Sequence, residues 1–467
     1  MTADRLDSRK PYQIAVIGGG VVGCAVLRAF ALAGARAILL ERGPDILCGA
    51  SKGNSALLHT GYDAPADSLE LACVRAGYDE YLAVRERLNL PLIETSAMMI
   101  AWTEAERACL PELLARAEAN GVAGVVALEA EEVRRRVPMI ASGVKSAILI
   151  PGEHVIDPWS APLAYALQAI ANGAALERNC EVVGGAFEDE LWRLRTSRGM
   201  VSAEVVVNCA GLFGDIVDAI ARPPPFRITP RKGQFVVFDK SAAALVDTVI
   251  LPVPSETTKG VLIAPTAFGN VLVGPTAEDQ DDREKAAVDT ATLKMLVARA
   301  AEIIPRLAGH PITAIYGGLR PATQFKDYQI EALPDRQWIT VAGIRSTGLT
   351  GALGIGALVR RLYEKSFAGL KDIANPLWTP VPNLAETRPR PYQQGGSGEI
   401  VCHCEWVTLG EIEAAFEGPL PATSFGGLKR RTRCMMGHCQ GFYCSWRIAQ
   451  LAAAGRLPLP LATGAAA

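Results

Sequence analysis

Apolar positions along the chain fall into two rhythms, and each rhythm predicts its own kind of layer. Residues 13–18 (QIAVIG) form a short unbroken apolar run, the mark of a strand buried on both faces. A glycine turn follows, then an Ala/Leu-rich stretch to about Ala33 that reads as a helix with Gly34 as its C-cap. Residues 36–41 (RAILLE) form the next strand, so the three pieces make one βαβ unit. Residues 69–87 and 103–119 carry Glu, Arg, Ala and Leu at helical spacing. Residues 204–210 (EVVVNCA) predict a second buried strand. The segments 234–238 (QFVVF), 261–264 (VLIA) and 271–274 (VLVG) alternate with turn residues and predict an antiparallel sheet. Residues 338–343 return to the buried-strand pattern and 349–364 to the helical one. The parallel-type pieces are therefore split, with a β-rich segment set between them.

From about Asn375 the rhythm stops. Pro376, Pro380, Pro382, Pro389 and Pro391 crowd together and GGSG follows at 395–398, which predicts a linker. The expected organisation is an α/β chain. A discontinuous nucleotide-binding domain takes residues 1–80, 150–225 and 315–374. An inserted antiparallel β-sheet substrate domain takes 81–149 and 226–314. A linker spans 375–399, and a small α-helical Cys-rich domain spans 400–467. No internal repeat is seen.

Composition narrows this picture. With 467 residues the chain is too long for one ordinary core. A net charge of −2 gives no electrostatic case for nucleic acid or an anionic membrane as partner. Residues 1–10 are polar, without the apolar core of a secretory signal, and no stretch of 18 uncharged apolar residues predicts a transmembrane span. The expected location is the cytoplasm, with peripheral membrane association left open. The 11 cysteines are odd in number, so a disulfide framework is not expected. Six are scattered as core filler, but Cys402, Cys404, Cys434, Cys439 and Cys444 crowd into the last 66 residues.

The first turn carries chemistry. Gly18, Gly20 and Gly23 make G-x-G-x-x-G between a strand and a helix. Gly18 permits the tight turn, Gly20 lets backbone approach a pyrophosphate, and Gly23 lets the helix pack on the sheet. The helix N-terminus, with Val21 and Val22, offers N–H donors and positive dipole to phosphate. Glu41 ends the second strand 23 residues after Gly18, placed for a ribose hydroxyl, with Arg42 beside it. The small-residue segment 49–61, containing Ser51, Lys52, Asn54 and Ser55, can run along a large flat cofactor. Two later strands end in glycine. One leads to Ala210 and Gly211; the other reaches Gly343 and enters a helix at Gly348, Leu349 and Thr350. Val182 is a further expected wall residue.

These segments resemble the D-amino-acid-oxidase-type FAD-dependent oxidoreductases over residues 12–372. That group includes glycerol-3-phosphate dehydrogenases, L-2-hydroxyglutarate dehydrogenases, glycine/sarcosine oxidases and opine oxidases. The hydroxy-substrate branch is matched through Asn54-Ser55, Leu58-His59-Thr60-Gly61 and Gly318-Leu319-Arg320-Pro321. The resemblance implies FAD, a substrate oxidised over its re face and a lid-like β-sheet domain. His59, one of five histidines, is the candidate base. Arg320 is the candidate bidentate anchor for a carboxylate or phosphate, with Arg345 as a second anion contact. Lys52 can offset flavin or phosphate charge, whereas Lys259 and Arg231 read as solvated. The segment 322–328 matches no single branch, so substrate identity stays open.

The C-terminal cysteines have the pattern C-x-C, 29 residues, C-x4-C, supplying Cys402, Cys404, Cys434 and Cys439. Four thiolates from two loops suit a [2Fe–2S] cluster or tetrahedral zinc. The stretch through residues 431–441 resembles the bacterioferritin-associated-ferredoxin-like [2Fe–2S] domain, which is also found appended to one of the subunits of anaerobic glycerol-3-phosphate dehydrogenase. Cys444 reads as helix packing or as a substitute for Cys439. His403 and His438 read as exposed neighbours. Thr408 and Glu411 predict a capping box, 440–454 a helix, and residues 429–433 positive charge beside an anionic cluster.

Three functions remain open. The first is an FAD-dependent dehydrogenase of a small anionic hydroxy compound, glycerol 3-phosphate or a 2-hydroxy acid, passing electrons through the cluster to a quinone, carrier protein or partner subunit. The second is a secondary amine or opine dehydrogenase. The third is an electron-transfer subunit of a complex. An oligomer or complex subunit is expected.

Overall fold

Tyr12–Ile17 is apolar on both faces, so it is stable only at the centre of a covered sheet. In the computed structural model, which describes residues 10–254 and 260–459, it lies there. It pairs in parallel with Gly199–Asn208 on one side and Ala37–Leu40 on the other. Ala175–Glu177 extends the sheet beyond Ala37–Leu40, and Trp338–Ala342 runs parallel to the end of Gly199–Asn208. Antiparallel strands complete eight in all. Val21–Leu32 leaves the central strand through the glycine turn and stops at Gly34, whose φ of +71° suits glycine.

Gly348–Ser366 packs against both Val21–Leu32 and Leu69–Leu88. Two glycines make that approach possible. A Cβ on Gly354 would sit 2.1 Å from the Cys73 carbonyl oxygen, and one on Gly77 2.1 Å from that of Thr350.

The second layer is a nine-stranded sheet assembled from both inserted stretches. Ala97–Ala101 pairs in parallel with Val249–Pro252, which joins the earlier insert to the later one. Thr229–Phe238 and Ile312–Ala322 form a long antiparallel pair that sets Arg231 opposite Arg320. Ile312–Ala322 thus belongs wholly to this sheet, although its last residues fall beyond position 315. Its core is aliphatic, built on residues such as Ile100, Val236, Ile263 and Leu296.

Within residues 375–399, the part from 381 to 390 is anchored on the body, while 393–396 are exposed. Val381 donates its N–H to the Leu88 carbonyl at 3.1 Å and accepts from Asn89 Nδ2 at 2.8 Å. Leu384 and Ala385 are buried, and Lys240 pairs with Glu386 at 2.7 Å. Prolines limit the chain to extended conformations, while the apolar residues between them supply the contacts.

The C-terminal module begins with the hairpin Ile400–Cys402 and Val407–Thr408 and folds around Val407, Ile412, Leu428 and Ile448. The capping box at Thr408 and Glu411 is present. The last helix is Cys444–Ala453, shorter than the sequence predicts. Residues 434–443 instead wrap the cysteines, with Met435 and Gln440 in the left-handed region. The basic run at 429–433 is turned to docking. Arg431 grips the buried Asp45 carboxylate at 2.6 and 2.9 Å, and Arg430 donates to the Ile46 carbonyl at 3.0 Å. Lys240 reaches Glu405 at 3.3 Å from the second layer, so the module touches both layers.

Candidate active site and cysteine centre

A cavity of about 970 Å³ opens between the two layers. Gly18, Gly20, Val21 and Val22 line one end, and Gly343, Gly348 and Leu349 line another part. Glycine is required at the turn. Gly18 has φ of +107°, and a Cβ there would meet the Cys209 carbonyl oxygen at 2.5 Å. A Cβ on Gly23 would sit 1.9 Å from the Gly18 oxygen, so Gly23 serves helix packing behind the cavity wall. Ser51 Oγ accepts from the Val21 N–H at 3.0 Å, tying the 49–61 segment to the helix N-terminus.

Glu41 lines the wall and accepts from the Gly19 and Gly43 N–H groups, both at 2.6 Å. Burial pushes its pKa up, against the pull of those two donors. Arg42 stacks over Phe213 at 3.8 Å and pairs with Glu284 at 3.0 Å. Val182, Ala210 and Gly211 complete this wall. Asn54 holds its own loop, donating to the Ser51 carbonyl and accepting from the Ala56 N–H. Lys52 and Ser55 line the cavity beside it. Thr350 stands behind the wall, where its Oγ1 accepts the His59 N–H at 3.0 Å. It braces the loop rather than facing the cavity.

His59 and Arg320 open into the same cavity. His59 Nδ1 lies 2.8 Å from Glu153 Oε2. Glu153 is fully buried, and its Oε1 accepts from Thr60 N–H at 2.6 Å and Thr60 Oγ1 at 2.8 Å. With Nδ1 donating to the carboxylate, the tautomer leaves Nε2 as the acceptor. Sequence reasoning missed Glu153, because no local pattern links a turn at 153 to a histidine 94 residues earlier.

Arg320 is oriented by carbonyls. Nη2 donates to Thr276 at 2.5 Å and Lys232 at 3.3 Å, and Nε to Arg231 at 3.3 Å. Among the described residues it has no carboxylate partner and Nη1 has no hydrogen-bond partner. Burial, with the neighbouring Arg231 cation, lowers its pKa to about 10 against the opposing pull of Asp279. Arg231, expected to be solvated, lines the cavity but is paired with Asp279 at 2.6 and 3.0 Å. Arg345 lines the cavity 4.0 Å from the buried Glu70. Lys259 lies outside the described residues. Tyr316 was also unforeseen: it donates to the Asn54 carbonyl at 2.7 Å and stacks on Phe235 at 4.6 Å.

In the C-terminal module the Sγ atoms of Cys402, Cys434 and Cys444 all lie within 4.8 Å of one another. Cys404 and Cys439 lie close enough to act on each other's thiols. The two loops approach closely, since a Cβ on Gly437 would be 2.4 Å from Cys404 Cβ. Cys444, read from the sequence as helix packing or a substitute ligand, is thus part of the thiol group. His403 and His438 are exposed as expected.

Residues 13–362 match the family of FAD dependent oxidoreductases, DAO. The chain belongs to this family. Residues 400–454 match the BFD-like [2Fe-2S] binding domain, so this flavoenzyme carries FAD and an iron–sulfur module. It is 31% identical over 450 residues to a glycerol 3-phosphate dehydrogenase of Caloramator mitchellensis, covering 95% of this chain and 94% of that one. It is 26% identical over 485 residues to one of the subunits of the anaerobic glycerol-3-phosphate dehydrogenase of Escherichia coli K12, covering 94% and 87%. The FAD-bound L-alpha-glycerophosphate oxidase of Mycoplasma pneumoniae superposes with a TM-score of 0.74 at 25% identity, covering 79% of this flavoenzyme and 97% of the oxidase. Among the described residues, no helix is long and apolar enough to cross a membrane.

The cavity fits the cofactor on its own terms. It runs from a helix N-terminus with backbone donors, past an acid at a strand end, to a second helix start with small residues along the way. The five thiols fit a cluster that needs four.

Proposed function

We propose that this flavoenzyme oxidises the secondary hydroxyl of glycerol 3-phosphate and passes the electrons through its [2Fe–2S] cluster to a separate acceptor. The observation that carries the reading is the pairing of a carboxylate-held histidine with a carbonyl-held arginine in one cavity. Alcohol oxidation needs a proton acceptor at the hydroxyl and a fixed grip on the rest of the substrate. His59, in the tautomer set by Glu153, takes the hydroxyl proton. Arg320 keeps a donor for the phosphate, and Lys52 and Arg345 add positive charge to the same cavity. FAD, when bound, supplies the two-electron acceptor for the substrate C–H.

The phosphate is favoured over a carboxylate by the relative of Caloramator mitchellensis, matched over nearly its full length. An L-2-hydroxyglutarate dehydrogenase of Indibacter alkaliphilus is matched over 57% of this chain, which makes a 2-hydroxy acid the competing substrate. The cysteine module supports one-electron export to a quinone, carrier protein or partner subunit, in a cytoplasmic enzyme able to associate with a membrane through that partner. Proposed cluster ligands are Cys402 and Cys404 with two of Cys434, Cys439 and Cys444. Anaerobic mixing tests the substrate. Glycerol 3-phosphate should bleach the flavin band, and 2-hydroxyglutarate should not. The reverse result, or bleaching by amines alone, refutes the proposal.

A further inference from the structure

Between the cavity and the cysteine group runs a line of contacts, with a stacked ring pair and a cation–π contact at its centre. Lys52, on the cavity wall, accepts through its carbonyl the indole N–H of Trp159 at 3.4 Å. Trp159 stacks on Phe268 with ring centroids 5.5 Å apart and planes 9° from parallel. The Arg433 guanidinium carbon lies 3.9 Å from the Phe268 ring centroid. Arg433 is bonded to Cys434 through the backbone and its Nε donates to Glu405 at 2.8 Å, the residue after Cys404.

Each member is held in place. The Trp159 backbone N–H is accepted by the fully buried Asp157 at 2.9 Å. Phe268 sits in a tight turn where its N–H is accepted by Thr266 Oγ1 at 3.3 Å. Arg433 is buried although charged, and its partners are one carboxylate and one ring. The three residues come from three parts of the chain, one from each structural unit. Burial of an aromatic pair needs no such alignment with a third, cationic plane next to the thiol group.

We propose that Trp159, Phe268 and Arg433 form the route by which electrons pass from the flavin cavity to the cluster. This rests on the reading that the cluster is fed by FAD. Electrons tunnel one at a time through the three residues, none of which changes oxidation state. As each electron crosses, the flavin is oxidised by one electron, one ferric iron of the cluster becomes ferrous, and any flavin proton goes to water. An external one-electron acceptor, ferricyanide in an assay, then reoxidises the iron.

The test loads electrons at the flavin without any substrate. The full-length holoprotein, with FAD and iron bound, is excited anaerobically by a laser pulse in the flavin band with EDTA as donor. Arrival at the cluster is followed by its absorbance and its electron paramagnetic resonance signal. Phe268→Leu should slow arrival about tenfold or more, and Phe268→Tyr should restore it to within about twofold of the parent. Iron content and resistance of the module to tryptic release should match the parent in both. Trp159→Phe, which leaves the module side untouched, should also slow arrival and serves if Phe268→Leu loses its iron. Arrival at the parental rate in a folded, iron-loaded Phe268→Leu or in Trp159→Phe overturns the route alone. A parent cluster that stays oxidised while its flavin is reduced overturns both the route and the reading beneath it.

Discussion

Replacing Glu153 with glutamine changes one buried oxygen to an NH2 and should disarm a base it does not itself supply. The carboxylate has two faces: Oε1 accepts two donors from Thr60, and Oε2 meets His59 Nδ1. A glutamine must keep its oxygen on the Thr60 side, where the backbone N–H has no other acceptor. Its NH2 then points at His59, and two N–H groups cannot face each other without a cost of about 1–3 kcal/mol. Histidine avoids that cost by moving its proton from Nδ1 to Nε2. Stability is then kept, but the nitrogen that should accept the substrate proton already carries one. Loss of a general base is worth about 10²–10⁴ in rate, or about 2.7 kcal/mol of barrier and more. Stopped-flow flavin bleaching by glycerol 3-phosphate should therefore slow by at least about 10² in Glu153→Gln, with substrate affinity within about threefold and FAD content unchanged. Bleaching within a factor of about two of the parent, in a folded FAD-loaded variant, would refute the assignment of His59 and Glu153.

Arg320→Lys should weaken glycerol 3-phosphate binding by about 10- to 100-fold with the maximal bleaching rate little changed, since an ammonium cannot hold three carbonyls and still offer a second donor; equal affinity would count against the anchor. Gly23→Ala places a Cβ 1.9 Å from a carbonyl oxygen, so overpacking of about 1–3 kcal/mol or more should give protein purified without yellow colour and with a lowered melting temperature. Burial alone would raise the Asp215 carboxyl, but Arg283 at 2.5 and 2.9 Å and the Ile228 and Ile216 N–H groups outweigh it and hold it below the usual range. A carboxyl lowered on folding adds stability that is present above about pH 4 and lost as pH falls through the folded value. The melting temperature should therefore drop on acidification below about pH 4 in the parent, and less steeply in Asp215→Asn. Iron and acid-labile sulfide analysis of single Cys→Ser variants should show loss at Cys402 and Cys404, while one of Cys434, Cys439 and Cys444 should be dispensable, because five thiols serve four positions.

What the sequence could reveal was what local chemistry dictates. Gly18, Gly20, Gly23 and Glu41 announce themselves because a turn, a close approach and a strand end are set within a short span, and the structure places Gly18, Gly20 and Glu41 on the cavity wall with Gly23 behind it. The strands at 234–238 and 271–274 were legible from alternation, but their joining to Ala97–Ala101 was not, since parallel pairing across the insert leaves no mark in either segment. Val381, Leu384 and Ala385 were hidden among prolines whose composition alone suggested a linker. Glu153, Tyr316 and the Trp159–Phe268–Arg433 line depend on contacts between distant stretches. The basic run at 429–433 shows the same limit: its charge was visible, but Asp45, the partner of Arg431, lies 386 positions away in sequence.

Substrate electrons are proposed to enter at the flavin from glycerol 3-phosphate and to leave through the cysteine module. Anaerobic rapid mixing of the full-length holoprotein with glycerol 3-phosphate, followed at the flavin band and by cluster paramagnetic resonance, tests both halves in one trace. The expected record is prompt flavin bleaching, then a growing signal from the reduced cluster. A flavin that stays oxidised, or one that bleaches while the cluster remains silent, contradicts that path.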